Sequence, residues 1–168
     1  MPTEKRIEIK IQTEPQRFPR TMLFNRVAID RLGAMRIFYF GLIDDDNELR
    51  ASYACAIDED AVQRHKEQIV SYVAQASSEA PPELQAWRPK PSIIANVDVA
   101  NVILVARSGA LAELRFYNFA IGDILEAQKK EKDTVQSAPV ALLRCEVPLQ
   151  RSMFLSLYSK GGSKNAKK

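Results

Sequence analysis

Val27-Ala28-Ile29-Asp30-Arg31-Leu32-Gly33-Ala34-Met35-Arg36-Ile37-Phe38-Tyr39-Phe40 reads as strand, tight turn, strand. Glycine at 33 can take the positive φ that a tight hairpin turn requires. The chain then repeats itself. Ile103-Leu104-Val105-Ala106-Arg107-Ser108-Gly109-Ala110-Leu111 has the same pattern, and Phe116-Tyr117 follows as Phe38-Tyr39 does in the first copy. Residues 25–35 align with 101–111 without a gap. Asn25 and Asn101, Arg31 and Arg107, Gly33 and Gly109, Ala34 and Ala110 are identical. A two-residue insertion then brings Phe38-Tyr39 against Phe116-Tyr117. Cys55-Ala56-Ile57-Asp58 meets Cys145-Glu146-Val147-Pro148, each at a junction from strand to helix. An ordered match of turn, aromatics, cysteine and helix predicts a tandem duplication.

Outward from the hairpin, Arg6-Ile7-Glu8-Ile9-Lys10-Ile11 alternates as a half-buried strand. Pro15 and Pro19 make Thr13 to Arg20 a connecting arm, because proline cannot donate to a ladder. Strands are expected over Met22–Asp30, Arg36–Ile43 and Leu49–Ile57. Arg36–Ile43 is apolar on both faces, the pattern of a covered central strand or an oligomer contact. Asp58 is placed to cap a helix that runs to Gln75, with Val62, Ile69, Val70 and Val73 as its stripe. Pro81, Pro82 and Pro91 mark a linker that Trp87 would pin to the body. The second copy has strands over Asn96–Arg107, Leu111–Ile121 and Val140–Val147. A charged excursion holds a short helix from Ile124 to Lys130. A last helix covers Gln150–Ser159, with Pro148 at its start.

The expected fold is therefore α+β: two tandem strand-turn-strand-strand-helix modules, antiparallel sheets, helices packed on one face. The first module spans 1–77, a proline-rich linker 78–92, the second module 93–160 and a disordered basic tail 161–168. This order resembles a small bacterial domain family of uncharacterised function, in which strands with a polar turn precede a short loop, another strand and a helix. The likeness rests on Val27–Phe40 with Cys55–Val73, and on Ile103–Phe119 with Cys145–Tyr158. It implies a fold and no activity. A second likeness, to the export chaperone SecB, rests on a strand-rich sheet with helices and implies a holdase.

The 168 residues suit one domain or two modules sharing a core. Net charge is +3, too weak to argue nucleic-acid binding alone. Lys160, Lys164, Lys167 and Lys168 exceed that charge between them, so the body is close to neutral. The start Met1-Pro2-Thr3-Glu4-Lys5-Arg6 has no apolar signal region, and no run approaches the roughly 20 residues of a membrane helix. A cytoplasmic home is expected.

Catalytic chemistry has few carriers here. His65 is the single histidine, mid-helix between Arg64 and Lys66, and reads as a boundary residue. Cys55 and Cys145 are the only two cysteines, both on apolar strand faces. They would approach each other if a pseudo-two-fold relates the modules. Asp44-Asp45-Asp46-Asn47 is an acidic hairpin tip without the spacing of a calcium loop. No enzyme, metal or cofactor is expected. The leading reading is a non-enzymatic binding or assembly protein, acting through a protein partner or a homo-oligomer. The alternatives are single-stranded nucleic-acid binding and a SecB-like holdase. The candidate contacts are Arg31 and Arg107 at equivalent turns, Arg36, Tyr39, Arg115 and Tyr117 as a stacking platform, and Lys164, Lys167 and Lys168 as phosphate contacts.

Overall fold

Asn25 and Asn101 do the same thing in two places. Asn25 donates from Nδ2 to the Ile43 carbonyl at 2.7 Å and accepts from the Ile43 N–H at 2.8 Å. Asn101 donates to the Phe119 carbonyl at 2.8 Å and accepts from the Phe119 N–H at 3.0 Å. Each side chain thus completes a backbone-like pair 18 residues away. Each marks the point where the chain leaves one sheet and enters another.

The computed structural model describes residues 10–12, 17–75, 84, 87 and 96–158. Ten strands and four helices lie among them. In the first half, β1 is Lys10–Gln12, β2 Thr21–Leu23, β3 Arg26–Leu32, β4 Met35–Ile43 and β5 Leu49–Asp58. Helices α1 (Glu59–Arg64) and α2 (Lys66–Ala74) follow. In the second half, β6 is Asp98–Ala100, β7 Val102–Ser108 and β8 Leu111–Asn118. Helix α3 (Ile121–Lys129), β9 (Thr134–Gln136), β10 (Ala138–Glu146) and α4 (Val147–Tyr158) complete it. No described helix is long and apolar enough to cross a membrane.

The first sheet has the order β3-β4-β5-β6 and the second β2-β10-β8-β7; β1 pairs with β9 alone. The hairpin ladders are antiparallel. The short strands β6 and β2 add in parallel, so both sheets are mixed rather than purely antiparallel. The exchange is reciprocal. Strand β2 leads into β3 but pairs with β10 of the other half. Strand β6 leads into β7 but pairs with β5.

The ladders also set the register between the halves. Val27 faces Phe40 and Ile103 faces Phe116. Arg36 faces Ile57 and Ala112 faces Cys145. Hairpins of equal length follow Gly33 and Gly109, whose φ values are +60° and +62°. So Phe40 corresponds in position to Phe116, with no insertion between the two hairpins. Cys145 corresponds to Ile57, and Leu143 to Cys55. The paired cysteines of the sequence alignment are thus displaced by two residues.

The two sheets share one core. Phe24, Phe38, Phe40, Cys55 and Ile57 pack in the same buried cluster as Leu114, Phe116, Leu143, Met153 and Phe154. The Phe40 and Phe116 rings lie 6.0 Å apart. Helices α1, α2 and α4 contribute Val62, Ile69, Val73 and Leu157 to it. Helix α3 is the exception to helices on one face. Its Ala127 joins Val102, Tyr117, Phe119 and Val135 in a second cluster. Tyr117 and Phe116 alternate along β8, so that cluster lies on the opposite face of the second sheet.

Several boundaries differ from the expectation. Met22–Asp30 is two strands, broken at Phe24-Asn25, and Asn96–Arg107 is two, broken at Asn101. The first helix breaks at His65. The excursion helix starts at Ile121 rather than Ile124, and β9 was not foreseen. Of the Arg6–Ile11 strand only Lys10 and Ile11 are described. Most of the linker and the whole basic tail lie outside the described residues. Trp87 does meet the body: a Cβ added to Gly41 would stand 2.5 Å from its Cζ2. Only glycine lets the indole lie there.

Asn25→Ala and Asn101→Ala each leave a half-buried N–H and C=O without their partner. Each substitution should lower stability by about 1–3 kcal/mol, read as a shift of the urea midpoint at constant slope.

Candidate functional site

Strand β3 is an edge of its sheet, and the start of α4 passes beside its first residues. Between them is a groove of about 540 Å³. The chain reaches it five times: at the β2–β3 crossing, at Leu42 near the end of β4, at Leu84, at the β7–β8 hairpin and at the first turns of α4. Its described walls are largely aliphatic, from Leu23, Val27, Leu42, Leu84, Leu111 and Leu149. Asn25, Arg26, Glu146 and Ser152 supply polar groups. Leu23 is 50% exposed and Leu111 41%. Two leucines open to water beside a cavity are worth roughly 25 cal/mol per Å² to any partner that covers them. No signal in the sequence marks this groove. It is formed by the exchange of β2, which the hydrophobic pattern does not reveal.

The corresponding place in the other half is lined differently. Val99 corresponds to Leu23 and is 54% exposed. Arg64 stands where Ser152 stands, and its guanidinium donates to the Asn101 carbonyl at 3.5 Å. His65, at the break between α1 and α2, has a buried Nε2 with no hydrogen-bond partner. Burial first, and the neighbouring Arg64 charge second, hold the imidazole below its usual range.

The residues expected to form a stacking platform are not brought together. Arg36 shares the inner face of β4 with Phe38 and Phe40, and pairs with Glu59 at 2.6 and 3.2 Å. That pairing raises the Arg36 pKa and lowers the Glu59 carboxyl. Tyr39 alternates to the outer face, half-buried. Tyr117 is 2% exposed, with Phe18 5.4 Å from its ring. It has no free face for a base, because α3 and β9 cover it. Arg115 pairs with Glu113 at 2.8 Å, and Arg144 reaches the same carboxylate at 3.0 Å. Burial opposes ionisation of Glu113, yet the two guanidinium groups hold its carboxyl below the usual range.

Arg31 and Arg107 are exposed at corresponding positions near the ends of β3 and β7, just before the turns. Arg31 donates to the Gly33 carbonyl at 3.4 Å. Arg107 lies within electrostatic reach of Tyr72. Lys164, Lys167 and Lys168 are outside the described residues.

Cys55 and Cys145 are free thiols in the shared core, fully buried, and burial pushes both up to about 12. Tyr53 donates to Asp98 at 2.9 Å while Arg20 lies 5.2 Å over its ring, an arrangement that fastens β6 to β5. Asp44 caps its own turn, accepting from the N–H groups of Asp46 and Glu48, and pairs with Arg50. Among the described residues no three histidine, cysteine or acidic side chains cluster as metal ligands. Set against family models, curated proteins and solved structures, the chain matches none.

His65 should make stability depend on pH. Its folded pKa lies below the unfolded value of about 6.5, so the unfolded chain binds the proton more readily. The stability that neutral His65 contributes is present above that value and is lost as pH falls through the folded pKa. His65→Gln should flatten the urea midpoint between about pH 5 and 7, where the parent chain loses stability on acidification.

Proposed function

We propose that this chain is a non-enzymatic binding protein that holds an extended, apolar stretch of polypeptide in the groove between β3 and α4. The observation that supports this reading is the exposure of Leu23 and Leu111 beside a cavity of about 540 Å³. That volume falls in the roughly 300–1,000 Å³ range of ligand sites. A contiguous apolar lining with exposed leucines at a groove is the kind of surface that takes a partner.

An extended segment suits this groove for a second reason. Among the described residues strand β3 is an edge of its sheet, the position at which a further strand adds. Main-chain pairing would supply affinity, and alternate side chains would enter the aliphatic cavity. Asn25, Arg26, Glu146 and Ser152 would fix the register. Charge contributes little, since Arg26 and Glu146 oppose each other in sign at the rim.

Fluorescence anisotropy with a labelled peptide of alternating leucine and polar residues tests the reading. The parent chain should bind it, and Leu23→Ser combined with Leu111→Ser should weaken binding at least about tenfold, the equivalent of roughly 1.4 kcal/mol. Both side chains are exposed, so the double variant should keep its far-UV spectrum. A parent chain that binds no such peptide, or a variant that binds it equally well, would overturn the reading.

A further inference from the structure

We infer that this chain is a strand-exchanged dimer drawn into one polypeptide: the surface each half turns to the other is built to receive a half of the same kind. Three observations carry this, none of which depends on the groove. The exchange is reciprocal and in the same register. Leu143 pairs with Met22 as Cys55 pairs with Asp98, and Arg144 pairs with Leu23 as Ala56 pairs with Val99. An operation that carries one half onto the other therefore carries each donated strand onto the other donated strand.

The corresponding residues Phe40 and Phe116 meet at 6.0 Å. Contact of a residue with its own counterpart is what a two-fold interface produces near its axis. The junctions also correspond in hydrogen bonding. Glu59 N–H donates to the Ala34 carbonyl at 2.8 Å, and Val147 N–H to the Ala110 carbonyl at 3.1 Å. Asn25 N–H donates to Gly41 at 2.9 Å, and Asn101 N–H to Tyr117 at 3.0 Å.

The partner class follows. Each half lacks one strand of its own four-stranded sheet, and only a half with a strand before its hairpin supplies it in parallel. Here the supply is within one chain. After the connection between halves is cut, the same surface would hold a separate half.

A protease site placed between Ala80 and Pro81 of the full chain tests this, with cleavage after folding. The cut protein should elute as one particle of the intact mass, 18.9 kDa, at micromolar concentration. Its urea midpoint should rise with protein concentration, as for any two-chain unit. When tagged and untagged cut proteins are unfolded and refolded together, halves should exchange between them. Fragments that separate on the column, or a midpoint independent of concentration, would overturn the inference.

Discussion

The exchange of one short strand for another is the constraint on which the rest of this structure depends. Three residues of β2 and three of β6 close the sheets of the opposite half. A backbone that leaves one sheet and enters the next within two residues exposes N–H and C=O groups at the crossing, and buried groups of that kind must be paired. Asn25 and Asn101 pair them with side-chain amides that imitate a backbone unit. Asparagine has both a donor and an acceptor at the right reach, which aspartate lacks. From this crossing follow the face-to-face contact of the sheets, the common phenylalanine cluster and the groove beside α4.

The two halves then diverge in what they add. The second half inserts α3 and β9, which cover the outer face of its sheet with a small second core. The first half covers its outer face at Gly41 with Trp87. Its helix breaks at His65, while α4 runs on without a break. The cleft at Asn101 is crossed by Arg64, whereas the cleft at Asn25 is faced by Ser152. The basis of the proposed binding site is the aliphatic groove beside Asn25, with Leu23 and Leu111 exposed at it.

Much of this was legible in the sequence. The alternation of Val27 to Phe40 and of Ile103 to Leu111 gave both hairpins, Gly33 and Gly109 gave their turns, and Asp58 caps its helix through Ala61 N–H at 2.7 Å. The breaks at Asn25 and Asn101 were only faintly legible. At the first the apolar period slips from Met22 and Phe24 to Val27 and Ile29, while at the second Val99 to Ala106 is apolar at every position but Asn101 and hides any slip. That slip and the identity of the two asparagines were the available signals, and neither says which sheet buries the face. Tyr117 misled for a related reason: alternation puts it on the outer face, and only the α3 excursion turns that face into a second core. The apparent match of Cys55 with Cys145 arose because alternate inward positions along the corresponding strands β5 and β10 carry similar residues. The groove had no sequence signal, since its walls come from segments far apart in the chain.

Native-state hydrogen exchange tests most directly whether the exchanged strands make the two sheets one cooperative unit. The slowest backbone amides of β5 and of β10 should open with the same free energy, equal to that of global unfolding. Exchange of one sheet at a distinctly lower free energy, with the other still protected, would contradict the account.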